Sequence, residues 1–238
     1  MKFRKGWWAT ELEGYRDIGM YNTYALVPFD TLPEITWQDF KGKFGWLKPL
    51  SEQETSQMEV HWEAQGQQDE NTLRVDQLAK NLQERGLSLP DGFYLFFSNV
   101  EMQNSILSST ACYFTIPTEP LPTLLEKDSY FIRFLSDQQE CLLWYVYSSP
   151  RGSSIVCSGY NLDEFLDTGR DDIDEIIEHF KEEIVEVEST FERFMYRLWM
   201  EGKLWFKLSD SDDNFTYEES LYLNGLKKYK SPEEEEEC

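Results

Sequence analysis

Two histidines, His61 and His179, are where proton or metal chemistry would first be sought, because imidazole is the side chain that ordinarily titrates near neutrality. His179 stands between Glu175 and Glu183, at i−4 and i+4, which on a helix puts three metal-capable groups on one face. No second histidine or cysteine lies close enough in sequence to complete that set, so the trio reads as a solvated acidic face. His61 sits beside Trp62 in a polar stretch, without a recognisable nucleophile. Asp210-Ser211-Asp212-Asp213-Asn214 imitates the opening of a calcium loop. Phe215 stands where that loop needs glycine, however, and Leu221 where it needs its closing glutamate. The cysteines Cys112, Cys141, Cys157 and Cys238 form no CxxC pair. The first three lie in or beside strand-like runs and read as small, reduced, buried hydrophobes. No phosphate loop, nucleophile elbow or HExxH pattern occurs. The expectation is a protein with no catalytic residues, no metal and no cofactor.

Charge says more. Forty-five acidic residues face 22 basic ones, a net charge of −23. Such a chain repels nucleic acid and anionic membrane and favours fast, salt-sensitive association with a basic partner. The acids are unevenly placed. Ile173, Ile176, Ile177 and Phe180 recur at helical spacing and give a helix one buried stripe, leaving carboxylates on the other face. Asp163, Glu164, Asp167, Asp171, Asp172, Asp174, Glu175 and Glu178 make up the candidate partner-binding face. The competing reading of the same residues is a plain solvated surface.

These residues need a scaffold, and the stretch Ser129–Ser158 supplies its centre. Tyr130–Leu135, Cys141–Tyr147 and Ser153–Cys157 are three strand-like runs separated by a polar loop and a Pro150–Gly152 turn, which predicts an antiparallel meander. Cys141–Tyr147, apolar on both faces, suits the central strand, with Trp144 or Tyr145 in the core. A helix is predicted from Thr72 to Gly86 with Leu73, Leu78 and Leu82 facing inward, and a second from Pro90 with Phe93, Phe96 and Phe97 on its apolar side. Asn99–Ser109 reads as loop and Ala111–Ile116 as a strand. Thr36–Phe40 could open a short helix. Asn161–Glu164 and Ser189–Glu192 each resemble a capping box, the second starting a helix with Phe191, Phe194, Met195, Leu198 and Trp199 as its stripe. Residues 1–70 read as a Trp-rich extension packed on the core, 71–208 as an α+β domain, and 209–238 as a solvated acidic tail. The basic start Met1–Lys5 has no apolar run behind it, and no segment reaches membrane-span length, so the expected location is cytoplasmic.

Three of these segments carry a likeness. Leu87-Ser88-Leu89-Pro90-Asp91-Gly92-Phe93-Tyr94-Leu95-Phe96-Phe97-Ser98-Asn99 resembles the LP-containing aromatic helix of the SUKH superfamily. That group includes the yeast cell-wall-synthesis regulator, Syd-type proteins and many bacterial immunity proteins. The meander with Asp137, Trp144 and the Pro150-x-Gly152 turn is similar to the family's central sheet. Ser189-x-Phe191-Glu192-x-Phe194 resembles its closing helix, and Tyr196-Arg197-Leu198-Trp199-Met200-Glu201 a pattern of one bacterial sub-group. Val100 stands where many members have glycine. The resemblance spans roughly residues 70–206. It implies an antiparallel sheet flanked by helices, no enzymatic activity, and a protein partner such as a nuclease toxin held by direct binding. The alternative function is an intracellular scaffold or regulatory module with no toxin partner.

Overall fold

The computed structural model describes residues 2–18, 24–35, 37–59, 67–162, 178 and 181–227. The chain is α+β. Its centre is the predicted meander: β5 (Tyr130–Ser136), β6 (Leu143–Ser149) and β7 (Gly152–Ser158), paired antiparallel in sequence order. Every residue of β6 is buried, as a continuous apolar run between two covered faces should be. Trp144, Val146 and Ser148 project to one face, Leu143, Tyr145 and Tyr147 to the other. Asp137 shapes the β5–β6 loop, its Oδ1 accepting from the Gln139 N–H (2.9 Å) and the Cys141 N–H (3.0 Å). At the β6–β7 turn the Ser149 hydroxyl donates to the Gly152 carbonyl at 3.2 Å.

Among the described residues the sheet has eight strands. The others are β1 (Arg4–Ala9), β2 (Ala25–Pro28), β3 (Tyr113–Phe114), β4 (Leu121–Pro122) and β8 (Val185–Glu188). The order is β2-β1-β8-β7-β6-β5-β3, with β4 also on β5. All pairings are antiparallel except β1 with β8.

Helices cover the face that carries Trp144 and Val146. They are α1 (Glu52–Glu59), α2 (Gln67–Glu84), α3 (Phe93–Phe97), α4 (Val100–Asn104), α5 (Phe191–Ser209) and α6 (Tyr217–Gly225). Phe93, Phe96 and Phe97 of α3 meet Phe114, Phe134 and Phe191 in one aromatic cluster, with ring centroids 4.5–6.2 Å apart. Each such buried ring contributes about 1.5–3 kcal/mol over leaving it exposed. Beneath α3, Gly42 and Gly92 meet back to back. A Cβ on Gly42 would stand 2.5 Å from the Gly92 nitrogen, and both residues have positive φ. Only glycine fits either position.

Several expectations are corrected. Leu73 is 78% exposed, because the inward stripe of α2 is Gln68, Asn71, Val75, Leu78 and Leu82. Asn71 earns its inward place by donating to the Gln103 side chain and the Phe114 carbonyl and accepting from the Ile116 N–H. A stripe that includes satisfied amides is invisible to an apolar count. Within the expected loop 99–109, α4 forms where the Asn99 side chain caps the Met102 N–H. The expected strand 111–116 shrinks to β3. Residues 37–40 are not helical, and Thr36 lies outside the described residues. Cys141 is exposed, while Cys112 and Cys157 are buried as expected, and all three are free thiols. Residues 1–70 supply β1 and β2 to the sheet itself. Residues 209–227 are not a solvated tail, since α6 buries Glu219, Tyr222 and Leu223 and starts in a Thr216–Glu219 capping box.

Candidate functional site

Of the predicted partner-binding face, Glu178 alone is described. It is exposed and pairs with Lys181. Asp163, Glu164, Asp167, Asp171, Asp172, Asp174 and Glu175 lie outside the described residues, as do His61, His179, the Asn161–Glu164 capping box beyond Leu162, and the stretch Glu233–Glu237.

The titratable groups with unusual environments lie elsewhere, between the N-terminal arm and α5. Glu201 is buried and accepts from the Trp7 indole N–H at 2.9 Å, from Arg16 at 2.8 and 3.0 Å, and from the Tyr222 hydroxyl at 2.8 Å. Tyr222 accepts in turn from Arg197 at 3.1 Å, and Arg197 also reaches Glu188 at 3.2 Å and the Pro33 carbonyl at 3.3 Å. Burial pushes the Glu201 carboxyl up, but Arg16 and its other donors outweigh that and hold it below the ordinary carboxylate value. A carboxylate so held keeps its charge at neutral pH and has every lone-pair direction occupied. It is therefore poorly suited to proton transfer and well suited to joining β1, α5 and α6. Glu192 does similar work in the first turn of α5, accepting from the Gly42 and Phe44 N–H groups (2.5 and 2.7 Å) and from the Trp46 indole (3.2 Å). The sequence assigned Glu192 to a capping box. In the structure Thr190 is the cap, accepting from the Arg193 N–H, while Glu192 holds the arm.

The buried thiols are equally quiet. Burial pushes Cys112 and Cys157 up, away from the reactive thiolate. Among the described residues no group of three or more His, Cys, Asp or Glu side chains is placed to hold a metal ion. Trp7 and Trp46 are buried in the core, and the slot lined by Trp7, Trp8, Tyr24 and Trp144 holds about 30 Å³, water-sized rather than ligand-sized.

A larger opening lies at the end of the helical layer, with a volume of about 430 Å³, in the range of small-ligand and side-chain pockets. One wall is Gly86–Asp91, between α2 and α3. The floor is Ser148 and Ser153, register partners on β6 and β7, with the turn at Ser149, Pro150 and Gly152. The other wall is Ser189 and Thr190 at the start of α5. These are parts of the three segments that carried the family likeness, more than sixty residues apart in places and brought to one groove by the fold. The sequence showed each motif but not their convergence, which depends on the meander register and the entry angle of α5. Glu201, Arg16 and Tyr222 were missed for the same reason, although Arg197 and Glu201 do stand four apart in the quoted Tyr196–Glu201 motif.

Comparison of the chain with protein-family models, with curated proteins and with solved structures returns no match.

Proposed function

We propose that this chain is a non-enzymatic protein-binding domain of the SUKH type, acting in the cytoplasm as an immunity protein that covers a basic toxin such as a nuclease. The observation that carries the reading is how the charge is distributed. Arg16, Arg74, Arg85, Arg133, Arg151, Arg193 and Arg197 each pair with a carboxylate, as do Lys5, Lys41, Lys181, Lys203 and Lys207. These are twelve of the 22 cations, and against 45 acids the chain keeps a net charge of −23 and with it a strongly negative field. Nucleases that grip phosphates present basic clefts, and such a field speeds their encounter and suits their occlusion. Glu201, Arg197 and Cys157 are enclosed in the fold, which suits them to holding it together rather than to meeting a substrate. Among the described residues no helix is long and apolar enough to cross a membrane.

The test starts from a captured partner. Reversing Asp171, Asp174, Glu175 and Glu178 should lower its association rate constant about ten-fold or more at low salt and flatten the salt dependence. Co-expression should restore growth to cells poisoned by that partner. Equal rates at every salt concentration would remove the acidic face as the binding surface, and a harmless partner would favour the regulatory-module alternative.

A further inference from the structure

We propose that the acidic run Glu233–Glu237 docks on this chain's own lysine-bearing loop, residues 40–51, and masks it. The inference is independent of the partner reading above. Residues 40–51 carry Lys41, Lys43 and Lys48 and no acid, in a chain where acids outnumber cations 45 to 22. All three lysines are exposed. Lys41 pairs with Asp39, while Lys43 and Lys48 form no ion pair among the described residues. The fold presents them on a fixed backbone. Glu192 accepts from the N–H groups of Gly42 and Phe44, on either side of Lys43, and Gly42 is wedged against Gly92. Phe44 and Trp46, between Lys43 and Lys48 in sequence, are buried. A loop held in this way spares an incoming anion the cost of ordering it.

The occupant follows from charge and reach. With a net charge of −23, an anion in free solution is repelled as it approaches. A tethered run avoids that approach, because a short linker holds it at an effective concentration on the order of millimolar. The described chain leaves α6 at Lys227, whose N–H donates to the Thr31 carbonyl at 3.1 Å, and Gly225 lies against Pro33. Arg197 of α5 holds the Pro33 carbonyl. Arg193, one turn earlier and about 6 Å along the axis, lies over the Phe40 ring at the start of the lysine loop. Exit point and loop are thus carried by neighbouring turns of α5. Glu233 stands six residues past Lys227 and Glu237 ten, a reach of up to about 20 and 35 Å. Exposed ion pairs are individually weak and screened by salt, so the contact is one that salt or a competing partner releases.

The experiment places a nitroxide on Cys238 of the full chain, one residue past Glu237, with the exposed Cys141 removed as Cys141→Ser and the buried Cys112 and Cys157 left in place. Paramagnetic broadening of backbone amides is read at low salt and at 1 M sodium chloride, where the screening length is about 3 Å. Broadening is expected at Lys41, Lys43, Leu47 and Lys48 at low salt and should be lost at high salt. Lys43→Glu with Lys48→Glu should abolish it, with the melting temperature kept because both side chains are exposed. Replacing all five glutamates by glutamine should abolish it as well. Broadening spread over the surface with no maximum at the loop, or surviving either set of substitutions, would overturn the contact. Broadening of a nitroxide-free labelled chain by a nitroxide-bearing unlabelled copy would assign the contact to a second molecule and overturn the intramolecular docking.

Discussion

A carboxylate sealed from water ordinarily prefers to be neutral, and four donors keep Glu201 from doing so. Removing it would leave Arg16 buried and charged without a counter-ion, so Glu201→Ala should cost about 3–5 kcal/mol of folding free energy, read from urea denaturation. The pH dependence follows from the direction of its shift. The folded-state value lies below the unfolded one, so the contribution is complete above the ordinary carboxylate range, and it is lost as pH falls through the folded value. The stability gap between the wild type and Glu201→Gln should accordingly narrow below about pH 4 and stay constant from pH 6 to 8. A gap independent of pH would mean that the carboxylate is not held ionised. Thiol chemistry offers a second residue-level check. Cys141 should react with an alkylating reagent in the native protein, whereas Cys112 and Cys157 should react only on unfolding. Core aromatics such as Phe93 and Tyr145 were legible from sequence. Inward-facing polar groups such as Asn71 and Glu201 were not, because their partners lie from 21 to 194 residues away in sequence.

At the level of elements, α5 ties most parts together, and it runs close to the loop before β3. Gly202 lies on its inner side, and a Cβ there would stand 2.3 Å from the Leu107 carbonyl oxygen. Alanine normally gains about 1 kcal/mol over glycine inside a helix. Overpacking costs about 1–3 kcal/mol, and the obstacle here is backbone, so the clash should win. Gly202→Ala should therefore lower the denaturation midpoint despite the better helix former, and a raised midpoint would mean that α5 can shift away. The meander was readable because β-branched and aromatic residues alternate with turn residues over a local stretch. By contrast, β8 is four residues, Val-Glu-Val-Glu, and β1 carries Arg, Lys and Gly beside its tryptophans. Strands so short and mixed are defined by the neighbours that complete them, which a local pattern does not contain.

For the molecule as a whole, a net charge of −23 means self-repulsion that salt relieves. Raising sodium chloride from about 10 to 150 mM shortens the screening length from about 30 to 8 Å, so the melting temperature should rise with salt. A fall would show that the ion pairs outweigh the repulsion. The α+β class and the negative surface were legible in composition and patterning. The closure of the sheet was not, because Arg4 pairs with Val185 across nearly the whole described chain. That pairing also sets a timetable for synthesis. At about 5–20 residues per second, the ribosome takes on the order of ten seconds or more to deliver β8 after β1 has formed. Through that interval Trp7 and Trp8 emerge on a strand whose inner neighbour does not yet exist. The nascent chain must keep a sticky edge out of trouble until almost its last quarter arrives, which makes this fold a natural client for chaperones that bind at the ribosome exit.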